Sequence, residues 1–173
     1  MKQADCLRMA LAELPQGTME IVGRPAAEPG VLFTGTFQGE TDGRGRMEVY
    51  PVFPGVEASF NTVLGTYAAF RHEATRSTLE INHCRKGRIG WKMSEGISVY
   101  LGAGDLCLHT RECCADSEIL LPLGYYEGID ITVDLERLRG SEPEILREAG
   151  MDAAFFERKF CSAKVPMTLP ACA

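Results

Sequence analysis

The stretch "LEINHCRKGRIGWKM", Leu79 to Met93, alternates apolar and polar residues on both sides of a basic centre, and it contains the only Trp of the chain. Successive side chains of a strand point to opposite faces. Leu79, Ile81 and His83 therefore share one face, and Glu80, Asn82 and Cys84 share the other. A His next to a Cys suggests a metal site, yet alternation separates the two. "SEG" at 94–96 predicts a hairpin turn into "ISVYL", with Gly96 near the position that needs positive φ. "GAGD" at 102–105 predicts a second tight turn into "LCLHT". Alternation alone leaves open which face looks inward, because a second layer can bury the outer face too.

Working outward, short alternating segments fill residues 19–133, among them "VLFTGTF", "RMEVYPVF", "VEASFNTV", "EILLPL" and "GIDITVDL". Turn formers such as "PAAEPG", "TDGRG" and "FPG" separate them, and "RGR" at Arg44–Arg46 reads as a turn. That rhythm predicts a sandwich or barrel rather than alternating strands and helices. Leu7, Leu11 and Leu14 predict a short amphipathic N-terminal helix, stopped by "PQG". After Asp134, Ser141 with Glu144 three residues on has the capping-box pattern, and Gly150 is a natural stop. Asp152 caps a further helix, "AAFFERKF", and the Pro-containing end reads as a linker. The expected division is 1–18 helix, 19–135 barrel, and 136–173 helical appendage and linker toward a further domain.

The chain has 173 residues, 45% of them apolar, enough for a real core. Its formal charge is −6. An acidic balance repels phosphate backbones, so these residues alone are a poor nucleic-acid binder. No run of 18 apolar residues and no signal-peptide pattern occurs, so no membrane contact is expected. Seven scattered Cys without an export signal point to reduced thiols in a cytoplasm.

Three segments together, "LEINHCRKGRIGW", "YLGAGDLCLHT" and "LPLGYYEGIDITVDL", resemble the N-terminal effector domain of AraC-type transcription regulators. The resemblance covers residues 50–160, and Ala103 departs from it where Pro is usual. It implies a mainly β, cupin-like (double-stranded β-helix or jelly-roll) barrel with an N-terminal helix and two or more C-terminal helices. It also implies a sensory module rather than an enzyme. A small-molecule effector binds the barrel, outer helices build a homodimer, and DNA is bound only by a helix-turn-helix domain absent from this chain.

The alternative is a stand-alone metal-dependent cupin enzyme, an isomerase or dioxygenase. Enzymatic cupins carry a His-x-His pair, a Glu and a later His. Here the matching strand has His83 alone, and His72 lies in a polar stretch. No metal, cofactor or catalytic residue is therefore expected. Cys84, Cys107, Cys113 and Cys114 read as small buried hydrophobes, since a thiol sensor needs an exposed thiolate. Cys113 and Cys114 diverge if they lie in a strand. The expected ligand-binding residues are His83, Arg85, Trp91, Tyr100 and His109, with Tyr67 and Phe70 as further aromatic candidates. Aromatic faces suit sugars, and Arg suits a carboxylate or phosphate. The Gly-bracketed Tyr125–Tyr126 pair reads as a barrel corner in preference to part of the pocket mouth or a contact to a neighbouring domain. Ile145, Leu146 and Ala149, with Phe155, Phe156 and Phe160, are two patches that pack on the barrel or form a dimer face.

Overall fold

The computed structural model describes residues 3–23, 33–37, 40–71, 74–93, 96–162 and 165–171. In chain order, α1 (Gln3–Ala10) precedes β1 (Thr18–Gly23), β2 (Phe33–Phe37), β3 (Glu40–Thr41), β4 (Arg44–Phe53), β5 (Val56–Leu64) and β6 (Tyr67–Arg71). Then come β7 (Thr78–Lys92), β8 (Ser98–Gly102), β9 (Leu106–Thr110), α2 (Arg111–Cys114), β10 (Asp116–Leu120) and β11 (Tyr125–Asp134). The chain closes with α3 (Leu135–Leu138), α4 (Glu144–Glu148), α5 (Ala153–Phe160) and β12 (Met167–Leu169). The strands form a mainly β curled half-barrel with a short N-terminal helix and C-terminal helices. Apart from the parallel β1–β4 pair, the strand pairs are antiparallel. No helix among the described residues is long and apolar enough to cross a membrane.

One long strand, β7 (Thr78–Lys92), holds this architecture together. The first half of β7 pairs with β11 and β9, and the second half with β8 and β10. Between the halves sits a bulge. Gly128 lies opposite Cys84 and Glu127 opposite Lys86, so the ladder skips Arg85. An inserted residue reverses the alternation of everything after it. Even-numbered Asn82 and Cys84 are buried before the bulge; odd-numbered Ile89, Trp91 and Met93 are buried after it. Gly87, at φ 80°, permits the turn of the backbone there.

Two apolar clusters follow from this geometry. One lies inside the curl and joins Met19, Val63, Cys84, Ile89, Trp91, Leu101, Cys107, Leu121 and Tyr126. The other covers the outer face, where Leu79, Val56 and Val133 pack under Leu135 and Leu138 of α3 with Phe156 and Phe160 of α5. The helical appendage is thus the second layer that buries Leu79. Asp134 caps α3 by accepting from the Glu136 and Arg137 amides, and Asp152 caps α5 by accepting from Phe155 N at 2.7 Å.

Several local expectations need correction. Arg44–Arg46 starts strand β4, because pairing with β1 and β5 on both sides outweighs its turn-like composition. Cys113 and Cys114 lie in the helical turn α2, not a strand. Ser141 does not cap α4; the helix begins after Pro143, with no side-chain cap. Part of the expected linker is ordered: β12 pairs with β9, and Ala171 N donates to Asp105 Oδ1 at 2.8 Å. Gly96 has φ 75° as the hairpin required, and Met93 N donates to Ile97 O across it. His72 and the Phe70 side chain lie outside the described residues.

Candidate functional site

The interior of the half-barrel is more polar than its pattern implies. Along β5 the buried residues include Ser59 and Asn61, while Phe60 between them is 43% exposed. Along β11, Asp130 and Thr132 face inward opposite Ser59 and Glu57 of β5 and Asn82 and Glu80 of β7. A strand that turns polar groups in and a Phe out signals that something other than apolar packing occupies the interior.

That interior contains a cavity of about 350 Å³, with a smaller lobe of about 70 Å³ beside it. Met19, Met47, Trp91 and Ile119 form apolar wall common to both. Asn82 and Asp130 also reach both, and Asn61 and Tyr126 line the lobe.

One side of the cavity is a closed polar network. Arg111 Nε donates to Glu80 Oε1 at 2.9 Å. Asn82 Nδ2 lies 3.2 Å from His109 Nε2, and His109 Nδ1 lies 3.2 Å from Thr110 O. A neutral imidazole carrying its proton on Nδ1 satisfies both contacts. Burial lowers the His109 pKa, against the opposing pull of Glu80, so the neutral form prevails at pH 7. Cys114 Sγ is 3.4 Å from both Glu80 Oε2 and His109 Nδ1. Burial first and Glu80 second push the Cys114 thiol far above its usual range. Burial also lifts Cys84 to about 11 and Cys107 to about 12, so these thiols stay protonated.

The other side is incompletely satisfied. Asn61 Nδ2 donates to Asp130 Oδ2 at 2.6 Å. Asn61 Oδ1, Asp130 Oδ1 and the Tyr126 hydroxyl are buried with no hydrogen-bond partner among the described residues. Such groups are costly to leave alone and call for an explanation. Burial, and then the charge of Glu80, push the Asp130 carboxyl up to about 8, although the Asn61 hydrogen bond pulls it back.

The structure brings Trp91 and His109 together on the cavity wall, ring centroids 6.3 Å apart. His83, Arg85 and Tyr100 do not line it. His83 is on the odd-numbered side of β7 before the bulge, which faces out. Arg85 is the bulge residue itself; its guanidinium is 3.6 Å from Glu127 at the surface. Tyr100 is 43% exposed and lies over Gly90 on the outer face, with Arg88 5.7 Å from its ring centre. Tyr67 lies outside the cavity wall as well. Tyr126, read from sequence as part of a corner, is 2% exposed and forms the floor of the lobe. Glu80, Asn82, Asn61, Arg111 and Asp130 were not anticipated. For all but Arg111, which starts α2, a signal was available: polar residues recurring every second position in strands whose alternate face is Ile or Phe.

Glu80, His109 and Cys114 also place one ligand atom each within 4.8 Å of one another. A carboxylate, an imidazole and a thiol suit zinc or iron. The trio fits such an ion as a donor set, but a bound ion would have to displace the thiol proton and break the His109–Thr110 contact.

No family model matches the chain, and no curated protein matches it. Among solved structures it is similar to an HTH_3 family transcriptional regulator from Vibrio cholerae, at 12% identity over 51% of this chain and 50% of that one, with a TM-score of 0.43. It is similar also to a cupin 2 conserved barrel domain protein from Salinispora arenicola, at 17% identity over 69% and 87%, with a TM-score of 0.41. A cupin 2 conserved barrel domain protein from Leptotrichia buccalis gives 13% identity, 52% and 40% coverage, and a TM-score of 0.42. The chain thus spans half the length of the first of these. None of the three scores reaches 0.5.

Proposed function

We propose that this chain is the cytoplasmic effector-binding part of an AraC-type transcription regulator, with a small molecule held in the barrel cavity. DNA is contacted by a helix-turn-helix domain outside this sequence. The observation that carries the reading is the interior cavity, with an apolar wall and a few convergent polar groups, some buried and unpartnered, as small-molecule sites have. The likeness of three chain segments to AraC-type effector domains adds the regulatory context. No covalent chemistry is needed: a ligand that binds one barrel state better shifts the population of states. The pairing of β12 with β9, the strand that carries His109 of the cavity wall, supports a route from the ligand to the helix-turn-helix domain. Exposed Tyr50, Phe53 and Phe60 on the outer face of β4 and β5 supply apolar surface for a homodimer.

A cavity-filling substitution tests the reading. Thr132→Phe places a ring in the cavity from a half-buried position on β11. In thermal-shift screens against a library of small polar-apolar metabolites, compounds that raise the wild-type melting temperature by several degrees should lose that effect in Thr132→Phe. Compounds that stabilise both proteins equally would place binding outside the cavity and overturn the proposal.

A second reading, a metal-dependent cupin isomerase or dioxygenase, is favoured by the Glu80–His109–Cys114 trio. Metal analysis of the purified chain separates the two. One iron, manganese or zinc per chain, lost on His109→Ala, supports the enzyme. Unchanged ligand affinity after dialysis against EDTA supports the sensor.

A further inference from the structure

We infer that the cavity takes a small organic cation, a protonated amine on an apolar body, with its ammonium between Asp130 and Asn61 and its body against Trp91. This rests on the reading of the cavity as a ligand site and names the class of ligand.

Donor and acceptor supply is the first argument. Two buried oxygens of the wall, Asn61 Oδ1 and Asp130 Oδ1, have no partner among the described residues, and neither has the Tyr126 hydroxyl that lines the same lobe. Asn61 itself is only 5% exposed. The side-chain amides of the wall already donate, Asn61 Nδ2 to Asp130 and Asn82 Nδ2 to His109, and Arg111 donates to Glu80. A ligand that satisfies Asn61 Oδ1 and Asp130 Oδ1 must bring N–H or O–H donors; an ammonium brings three, and its charge favours the deprotonated, acceptor-only form of Asp130.

Charge is the second. Glu20, Glu57, Glu80 and Asp130 line the cavity against a single lining cation, Arg111. Arg46 neutralises Glu20 from behind at 2.6 Å. With Glu80 paired to Arg111 and Asp130 mostly protonated before binding, the excess among the described lining residues is the charge of Glu57, to which Asp130 adds its own when a cation binds; both repel a carboxylate or phosphate and draw a cation. Trp91 adds an indole face, the best aromatic partner for a cation and a good one for an apolar body.

Binding then carries a proton signature. Asp130 is held mostly protonated at pH 7 by burial and by Glu80. Tyr126 on its own strand and Cys84 on β7 are both protonated and do not oppose this. Across the cavity, Glu57 and Glu20 raise the same negative field, while Arg111 is engaged by Glu80 and His109 is neutral. An ammonium beside Asp130 removes the penalty on its charged form, so an amine releases up to one proton on binding and a neutral ligand releases none.

Calorimetric titration of the full chain with matched sets of amine, alcohol and carboxylate on phenylethyl, cyclohexylethyl and n-hexyl skeletons tests this. At pH 7, an amine of at least one skeleton should bind tenfold or more tightly than its alcohol and its carboxylate. Its heat should vary with the ionisation enthalpy of the buffer. Asp130→Asn, folded by circular dichroism, should lose both the preference and the proton release. An alcohol or carboxylate that binds as tightly as its amine leaves the cavity reading intact and overturns the cation. Failure of every amine also overturns the cation, whereas amine binding undiminished in Thr132→Phe overturns the cavity reading itself.

Discussion

Asp130→Asn raises the melting temperature at pH 8 and leaves it nearly unchanged at pH 4. The cause is the carboxyl pushed up to about 8 from an ordinary 3.8, chiefly by burial. Below pH 4 both folded and unfolded chains hold the proton, and the acid costs nothing. Between pH 4 and 8 the unfolded chain gives up its proton while the folded one keeps it. Stability therefore falls as pH rises through this window, and the loss is complete above the folded value. An Asn at this position removes the titration, keeps an acceptor for Asn61 Nδ2, and so gains most at high pH. Each pKa unit is worth about 1.4 kcal/mol. Discounted by half for solvent entering the cavity, the gain at pH 8 is about 3 kcal/mol, or roughly 5–10 °C for a chain of this length. The measurement is the difference between variant and wild type at each pH, which cancels the other titrating groups. A difference independent of pH would show that Asp130 is solvated and has an ordinary carboxyl.

Gly87→Ala has the largest expected effect in the opposite direction. Gly87 has φ 80°, and a Cβ there would lie 2.2 Å from Tyr125 O, a backbone atom that cannot rotate away. The bulge at Arg85 would have to open, and with it the switch of parity that turns Trp91 inward. Left-handed strain alone costs about 1–2 kcal/mol; the collision adds to it, and a loss above about 4 kcal/mol is expected, at the severe end for single substitutions. Gly124→Ala is the control. It has φ 75° and nothing within 4 Å of the added Cβ, so strain alone remains. Chemical denaturation should show Gly87→Ala several times more destabilising than Gly124→Ala. Equal losses would mean that the bulge yields easily and does not fix the orientation of β7.

The strands were legible because β-branched and aromatic residues alternate between clear turn formers, and most of them survive in the fold. The site was less so, for reasons found in particular residues. A single inserted residue, Arg85, reverses the face of everything after it, and no local pattern marks a bulge inside a run of polar residues. Trp91 thus joins Asn82 on the interior wall while His83 and Tyr100 face outward. The second obstacle was that alternation does not say which face looks inward. Phe60 and Tyr50 are exposed and touch each other edge to face, whereas Asn61 and Ser59 are buried. That inversion is readable in "VEASFNTV" and "GIDITVDL" once the interior is allowed to be a cavity rather than a packed core. The ordering of Met167–Leu169 on β9 had no sequence signal, because a short edge strand depends on a partner distant in the chain.

Trp91 is the only Trp of the chain and stands on the cavity wall, so its emission reports directly on what enters. Fluorescence titration with the amine that gives the largest heat of binding is the most direct test of the cavity as the ligand site. A saturable shift in emission is predicted, at one ligand per chain and with the midpoint of the calorimetric titration, absent in Thr132→Phe. A heat of binding with unchanged Trp91 emission would place the ligand elsewhere and contradict the account.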